Sequence, residues 1–481
     1  MKIRQDIVVA VVFVAGMFMN IMDSTIVNTA LPSIARGFHT TIVSVDWVVI
    51  GYLLSLSLWI PASGWIGDRI GTRTVYLLAL TVFTLASALS GLSHTLAQLT
   101  LFRILQGAGG GMLAPVGQAM LYRAFPPERR ARASSILLVP TVLAPASGPV
   151  IGGFLVDQLS WRWCFYVNVP IGILAVVFGL LFLEQHREPR KGGFDWAGFF
   201  LAGVGLALFV YALSEGADQG WDSLRIVITG ILGVVAMSAA VWVELTTPEP
   251  LVSLRLLKLR LFRTSNLVSL FGSTAFMGIL FATPQFLQDV RGANALQSGL
   301  TTFPEAVGVI LSSRLVALLY PRIGPRRLMF GGLLGVSGAM FCLSTITLTT
   351  SGWWIRLFMF LVGCGMAYQI LPLQAASFSE ISSSDTGKAS SLFNTQRQIA
   401  GTMGVAALAT VIASSVSRHA GIASLHQIKL IAAYHHAFVL AALLALVAAV
   451  VSLRVRDQDA YATMGRTASA GNGTMDTATA P

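Results

Sequence analysis

Long apolar runs separated by short polar turns recur from one end of the chain to the other. The hydrocarbon core of a bilayer is about 30 Å thick, so a helix that crosses it needs about 20 mostly apolar residues. Fourteen runs meet that requirement. The first six predicted spans are Ile7–Leu31, Asp46–Trp65, Val75–Leu92, Leu96–Met120, Ser134–Val156 and Cys164–Phe182. Two follow at Trp196–Leu213 and Ile226–Val243. Six more run Leu267–Phe286, Gly299–Leu319, Leu328–Leu348, Trp353–Leu373, Ser391–Ser414 and Ile428–Leu453. The pattern predicts an all-α integral membrane protein with 14 transmembrane helices.

Composition agrees with the pattern. Of 481 residues 55% are hydrophobic and 11% charged, with a mean hydropathy of +0.73. A soluble domain carries about 25% charged residues. Cytoplasmic loops collect Lys and Arg. With the N-terminus inside, the predicted inner segments hold 22 of the 32 basic residues and the outer ones 7, counting Arg356 and Lys429 at the outer ends of their spans; Arg103, Arg314 and Arg397 fall deeper within spans. Both termini are therefore expected in the cytoplasm, in an inner (plasma) membrane. The net charge of +11 follows from topology and attraction to anionic lipid, with no need for nucleic acid. Cys164, Cys342 and Cys364 lie in apolar runs without metal spacing and read as small packing residues. The first run is too long for a cleaved signal. No nucleotide loop, HExxH pair or nucleophile–base pairing is present, so the chain does not read as an enzyme. The residues from Asp457 onward are rich in Ala, Gly, Thr and Ser and predict a disordered cytoplasmic tail.

One internal echo is visible. Asp68-Arg-Ile-Gly-Thr-Arg73 follows the second span and Pro321-Arg-Ile-Gly-Pro-Arg326 the tenth, with Pro321 in place of the acid. The two correspond if spans seven and eight are inserted between six-helix halves. This divides the chain into a bundle over 1–190, two inserted helices over 191–264, a second bundle over 265–456, and the tail 457–481. Repeated halves place a transporter's substrate site between them.

Chemistry concentrates in a few segments. In the turn Gly64–Arg73, Gly64 and Gly67 allow close helix approach, Gly71 permits a tight turn, and Asp68 can accept from Arg groups or a helix N-terminus, with Arg69 and Arg73 alongside. Arg103 in Leu101–Gly107 must face a partner or a wet cavity; a structural arginine bonded to backbone carbonyls and a coupling arginine both fit. In Ala144–Gly153, Pro149 removes a backbone bond and kinks the span, while Gly148, Gly152 and Gly153 make one small-residue face. Asp23 and Glu305 are the two carboxylates well inside spans. An acid placed there is a proton-relay or cation-site candidate by default, against the blander readings of a hydrogen-bonded structural acid for Asp23 and an interfacial one for Glu305.

The Gly64–Arg73 turn closely resembles the signature loop of the major facilitator superfamily. Met22–Pro32, Trp161–Gly172 and Ala389–Gly401 resemble segments of its fourteen-helix drug:proton antiporter branch (EmrB/QacA type), and Ala144–Gly153 resembles the antiporter motif, with Ala144 where the family has glycine. The resemblance implies a major facilitator fold of two six-helix bundles plus two inserted helices. It implies that Asp68 latches the cytoplasmic side shut against Lys388–Ser391 and that Arg103 is linked to proton coupling. Asn20, Asn394 and Arg397 become polar cavity candidates if their helices are oriented as in the family. The expected function is proton-coupled export of amphipathic small molecules by alternating access. Asp23 is the first proton carrier, Glu305 the second, and Arg103 tunes them. The proton gradient is the energy source, with no cofactor. Expected partners are substrate, protons and lipid; the chain is expected to act as a monomer, with a periplasmic adaptor as an optional partner. A dedicated exporter of one endogenous metabolite is the alternative, and a non-transporting receptor on the same scaffold a weaker one.

Overall fold

A computed structural model describes residues 4–187, 193, 195–247, 250–416 and 423–464. Among the described residues every regular element is helical. The first half contains α1 (Gln5–Gly37), α2 (Ile42–Ile70), α3 (Thr72–Gly91), α4 (Leu96–Ala124), α5 (Arg130–Gln158), the single turn α6 (Trp163–Tyr166) and α7 (Asn168–Phe182). Then come α8 (Trp196–Gln219) and α9 (Leu224–Thr246). The second half contains α10 (Arg260–Asp289), α11 (Ala295–Thr302), α12 (Pro304–Ile323), α13 (Pro325–Leu343), α14 (Gly352–Ser377), α15 (Thr386–Val416) and α16 (Ala423–Ser452).

Among the described residues, eleven spans are long and apolar enough to cross a membrane; α6 with α7, and α11 with α12, each count as one. The helices α4, α5 and α15 have 29, 29 and 31 residues. They are long enough at about 1.5 Å per residue but richer in small and polar side chains. The exterior is apolar: Trp353, Leu318 and Leu174 are each more than 70% exposed. Charged and amide side chains such as Arg103, Asp23 and Gln369 are buried instead. That distribution is the reverse of a water-soluble domain and suits hydrocarbon as the outer solvent.

Within the first half α4 packs on α2 and α3, and α1 on α5; within the second, α14 packs on α12 and α13, and α10 on α15 and α16. Across the halves α2 and α4 meet α15, while α5 meets α12 and α14. The inserted α8 lies on both α2 and α15, spanning the seam between the halves, and α9 packs mainly on α8.

The echoed motifs form equivalent turns. Gly71 (φ 111°) separates α2 from α3, and Gly324 (φ 89°) separates α12 from α13. Positive φ at these values costs glycine little and other residues much, which accounts for glycine at both. Each turn is capped by the segment that follows its half's last helix. Thr72 donates its backbone N–H to the His186 carbonyl at 2.9 Å, and the Arg326 N–H donates to Asp457 Oδ1 at 3.0 Å.

Asp457 thus corrects the expectation of disorder from residue 457. Asp457–Met464 is a 3-10 helix with Ala460, Thr463 and Met464 buried. Thr463 and Tyr320 share a 2.7 Å hydroxyl bond, and Ser379 donates to the Asp459 carbonyl. Three apolar or small anchors hold the segment despite its polar composition; residues 465–481 lie outside the described set.

Candidate functional site

The end of the bundle that holds the start of α1 and the α2–α3 turn is here the near end, and the opposite one the far end. Midway along the first half, α1 brings Asp23 against α4 and α7. Arg103 donates from Nη1 to Asp23 Oδ2 at 2.5 Å and to Gln106 Oε1 at 2.8 Å. Gln106 Nε2 and Asn168 Nδ2 each donate to Asp23 Oδ1 at 2.9 Å. Ser87 accepts from Asn168 at 3.1 Å and donates to the Phe165 carbonyl. The guanidinium carbon lies 4.1 Å from the centre of the Tyr52 ring. Asp23, Gln106 and Asn168 are 0% exposed and Arg103 1%. The cluster is an ion pair with both carboxylate oxygens occupied, closed to solvent. Asn20, three residues before Asp23, donates to the Gly110 carbonyl at 2.8 Å and accepts from Tyr52 Oη.

Sequence reasoning missed Gln106, Asn168, Ser87 and Tyr52 as members of this cluster. Gln106 lay inside the Leu101–Gly107 segment and Asn168 inside Trp161–Gly172; a polar side chain within each apolar run was the available signal.

The near end is closed between the halves. Arg123 on α4 forms a 2.7 Å ion pair with Asp68, and its Nε donates to the Ser383 carbonyl. A methyl on Gly387, at the start of α15, would meet Asp68 Oδ1 at 2.5 Å, so the carboxylate sits at that helix N-terminus. There the helix dipole also favours negative charge. A methyl on Gly64 would run into the Gly387 carbonyl, so this glycine permits the α2–α15 approach. Ser391 Oγ donates to the Ile60 and Pro61 carbonyls, and Asn394 Nδ2 donates to Gln118 Oε1 on α4 at 2.5 Å. Arg130 donates to the Phe378 carbonyl across the same seam. Gly67 makes ordinary contacts with Val116 and Thr72. Arg69 lies over Trp65, and Arg73 donates to the Leu180 carbonyl, tying α3 to α7. Arg123 was counted in the sequence only as loop charge; its pairing with Asp68 depends on the fold.

On α5, Gly148 packs against Thr25 and Gly152 against Ile26 and Thr29 of α1. Gly153 corrects the expectation of one three-glycine face: nothing lies within 4 Å of where its Cβ would be. One helical step of about 100° turns it away from α1. Pro149, predicted to kink the span, has a side chain outside the described set.

The second half offers charges without partners. Glu305, in the first turn of α12, is 7% exposed, and its backbone carbonyl lies against Gly363 of α14. Neither it nor Arg397 on α15 has an ion-pair or hydrogen-bond partner for its side chain among the described residues. Arg397 is half-buried and Arg314 exposed. Among the described residues, buried amide atoms of this half are also unsatisfied: Gln396, next to Arg397, at both ends, and Gln374 on α14 at its oxygen.

Two packed halves, closed at one end and carrying charges at mid-depth, define a polytopic membrane transporter built for alternating access. The sequence profile of the Major Facilitator Superfamily matches residues 13–405. The chain is 33% identical over 400 residues to the multidrug transporter protein MdtP of Bacillus subtilis, covering 83% of this chain and 74% of MdtP. The chain belongs to the Major Facilitator Superfamily. It is a transporter of small molecules and not an enzyme. Two solved structures share the fold. One is the human organic anion transporter MFSD10 (TM-score 0.66, 15% identity, 92% of this chain and 99% of that one). The other is the proton:xylose symporter XylE (TM-score 0.63, 16% identity, 91% and 94%). At those identities the likeness speaks to fold alone.

Proposed function

We propose that this protein is a proton-driven exporter of amphipathic small organic molecules. It works as a monomer in the inner membrane with fourteen crossings and both termini in the cytoplasm. The near end is then the cytoplasmic one, and the conformation described is closed to the cytoplasm. The observation that carries the reading is the division of labour among buried charges. Asp23 is consumed by Arg103, Gln106 and Asn168, whereas Glu305 has no cation or donor among the described residues to offset a charge. A bound proton resolves that situation, so Glu305 takes over from Asp23 as first proton carrier. The Asp23–Arg103 pair holds the first half rigid while the halves rock. The resemblance of Ala144–Gly153 to the antiporter motif and the name of MdtP support export and a broad amphipathic substrate range.

Everted membrane vesicles test this. With an imposed pH gradient, acid inside, they should concentrate amphipathic dyes and release them when the gradient is collapsed with an ionophore. Accumulation that ignores the gradient would overturn proton coupling.

A further inference from the structure

The proposed transport reading leaves the charge of the substrate open, and the interior of α15 addresses it. Among the described residues, five charged side chains sit in the middle parts of spans: Asp23, Arg103, Glu305, Arg314 and Arg397. Asp23 and Arg103 neutralise each other. The three left without ion-pair partners are one acid and two arginines. Two arginines against one acid leave the unpaired remainder net positive.

Arg397 is the one whose direction can be read from its helix. Asn394, three residues earlier, reaches Gln118 on α4, and Ala400, three residues later, takes the Thr274 hydroxyl of α10 on its carbonyl at 3.1 Å. Residues three apart on a helix are neighbours on one face, so Arg397 lies between the direction of α4 and the direction of α10. It therefore looks into the space between the halves, one turn further from the near end than the Asn394–Gln118 contact that closes it. Lipid is on another side of the helix, where Met403 is exposed. An unpaired guanidinium at membrane depth is tolerated only beside water or an anion, and half-burial means that this one keeps access to water. Its planar fork suits two-point recognition of a carboxylate, sulfonate or phosphate better than a Lys ammonium would.

We infer that Arg397 is the charge-recognising residue of the substrate cavity and that the favoured substrates are anionic amphipaths. The observation that carries this is an unpaired, half-buried arginine between the halves, in an interior whose fully buried Asp23 is already paired. Asn394 and Gln118, one turn nearer the closed end, supply amides for the polar part of the same ligand. The inference rests on the exporter reading only for the word substrate; the anion site itself is an equilibrium binding property.

The test uses the purified full-length protein in detergent, with carboxyfluorescein as anionic probe and ethidium as cationic probe, read by fluorescence anisotropy. Wild type should prefer carboxyfluorescein. Arg397→Gln should weaken it by about tenfold or more and leave ethidium unchanged, while Arg397→Lys recovers part of the loss because the charge remains. A thermal melt of each variant confirms folding, and none should shift, since Arg397 gives up no partner. Equal loss of both dyes in Arg397→Gln would overturn the inference, reducing Arg397 to cavity support. A wild type that prefers ethidium, or binds neither dye, would also overturn it. Vesicle transport separates the two readings. Gradient-driven concentration of ethidium without the anion leaves the exporter and removes the anion site. Binding of the anion without its export supports the anion site and removes the exporter.

Discussion

The two halves share a fold plan down to the glycine turn after their second span, yet they treat buried charge in opposite ways. In the first half Asp23 and Arg103 are fully enclosed, and amides from α4 and α7 donate to the carboxylate beside the arginine. In the second, Glu305 is buried and Arg397 half-buried, and neither side chain has a hydrogen-bond or ion-pair partner among the described residues. A buried ion pair whose two carboxylate oxygens both accept hydrogen bonds is a rigid unit that resists a change of charge. An unpaired charge is a vacancy for a proton or a ligand. In the proposed cycle the first half is the structural one and the second does the work.

The largest expected effect breaks the first half. Asp23→Asn leaves Arg103 charged and uncompensated in a dry site, and losing one partner of a buried pair costs about 3–5 kcal/mol. The variant should show a clearly lowered melting temperature in detergent and reduced membrane abundance. A variant as stable as wild type would show that the pair is not structural.

Between the halves, Asp68→Asn removes the charge that holds Arg123 and the start of α15. The near-end closure should weaken by about 1–3 kcal/mol for a charge-assisted contact. Turnover should fall several-fold while dye affinity changes little, because Asp68 lies far from the mid-depth charges. Transport kinetics alongside anisotropy measures both; unchanged turnover at equal expression would remove the latch.

The smallest effect is at the second turn. Asp457→Ala deletes the carboxylate that accepts the Arg326 N–H at the start of α13, an N-cap-type contact worth about 1 kcal/mol. A slight drop in melting temperature with normal transport is expected. A large loss of transport would mean that this cap moves during the cycle.

Much of this was legible in the sequence because hydrophobic length in a bilayer is a strong constraint. Each predicted span overlaps an observed helix or pair of helices. The breaks between α6 and α7 and between α11 and α12 were not seen, since neither shortens the apolar run enough to divide the span; at the second, Pro304 opens α12. Asp23 and Glu305 stood out as carboxylates inside apolar spans, and Arg397 as a basic residue within a span. What surrounds them did not, because Asn168 reaches Asp23 across 145 positions of sequence and no periodicity encodes such a contact. Asp457 was misplaced for a related reason. Its segment looks disordered in composition, but the turn at Gly324 supplies an unsatisfied N–H that only the folded chain brings within reach.

The central claim is that the unpaired carboxylate of the second half is the one that carries the proton, and Glu305→Gln in reconstituted vesicles tests it most directly. The amide preserves shape and breaks no bond, so the protein should fold normally and still exchange dye down its own gradient. It should fail to concentrate dye against a gradient when a pH difference is imposed. If Glu305→Gln still drives uphill, pH-dependent accumulation at the wild-type rate, the account is contradicted and the proton belongs elsewhere.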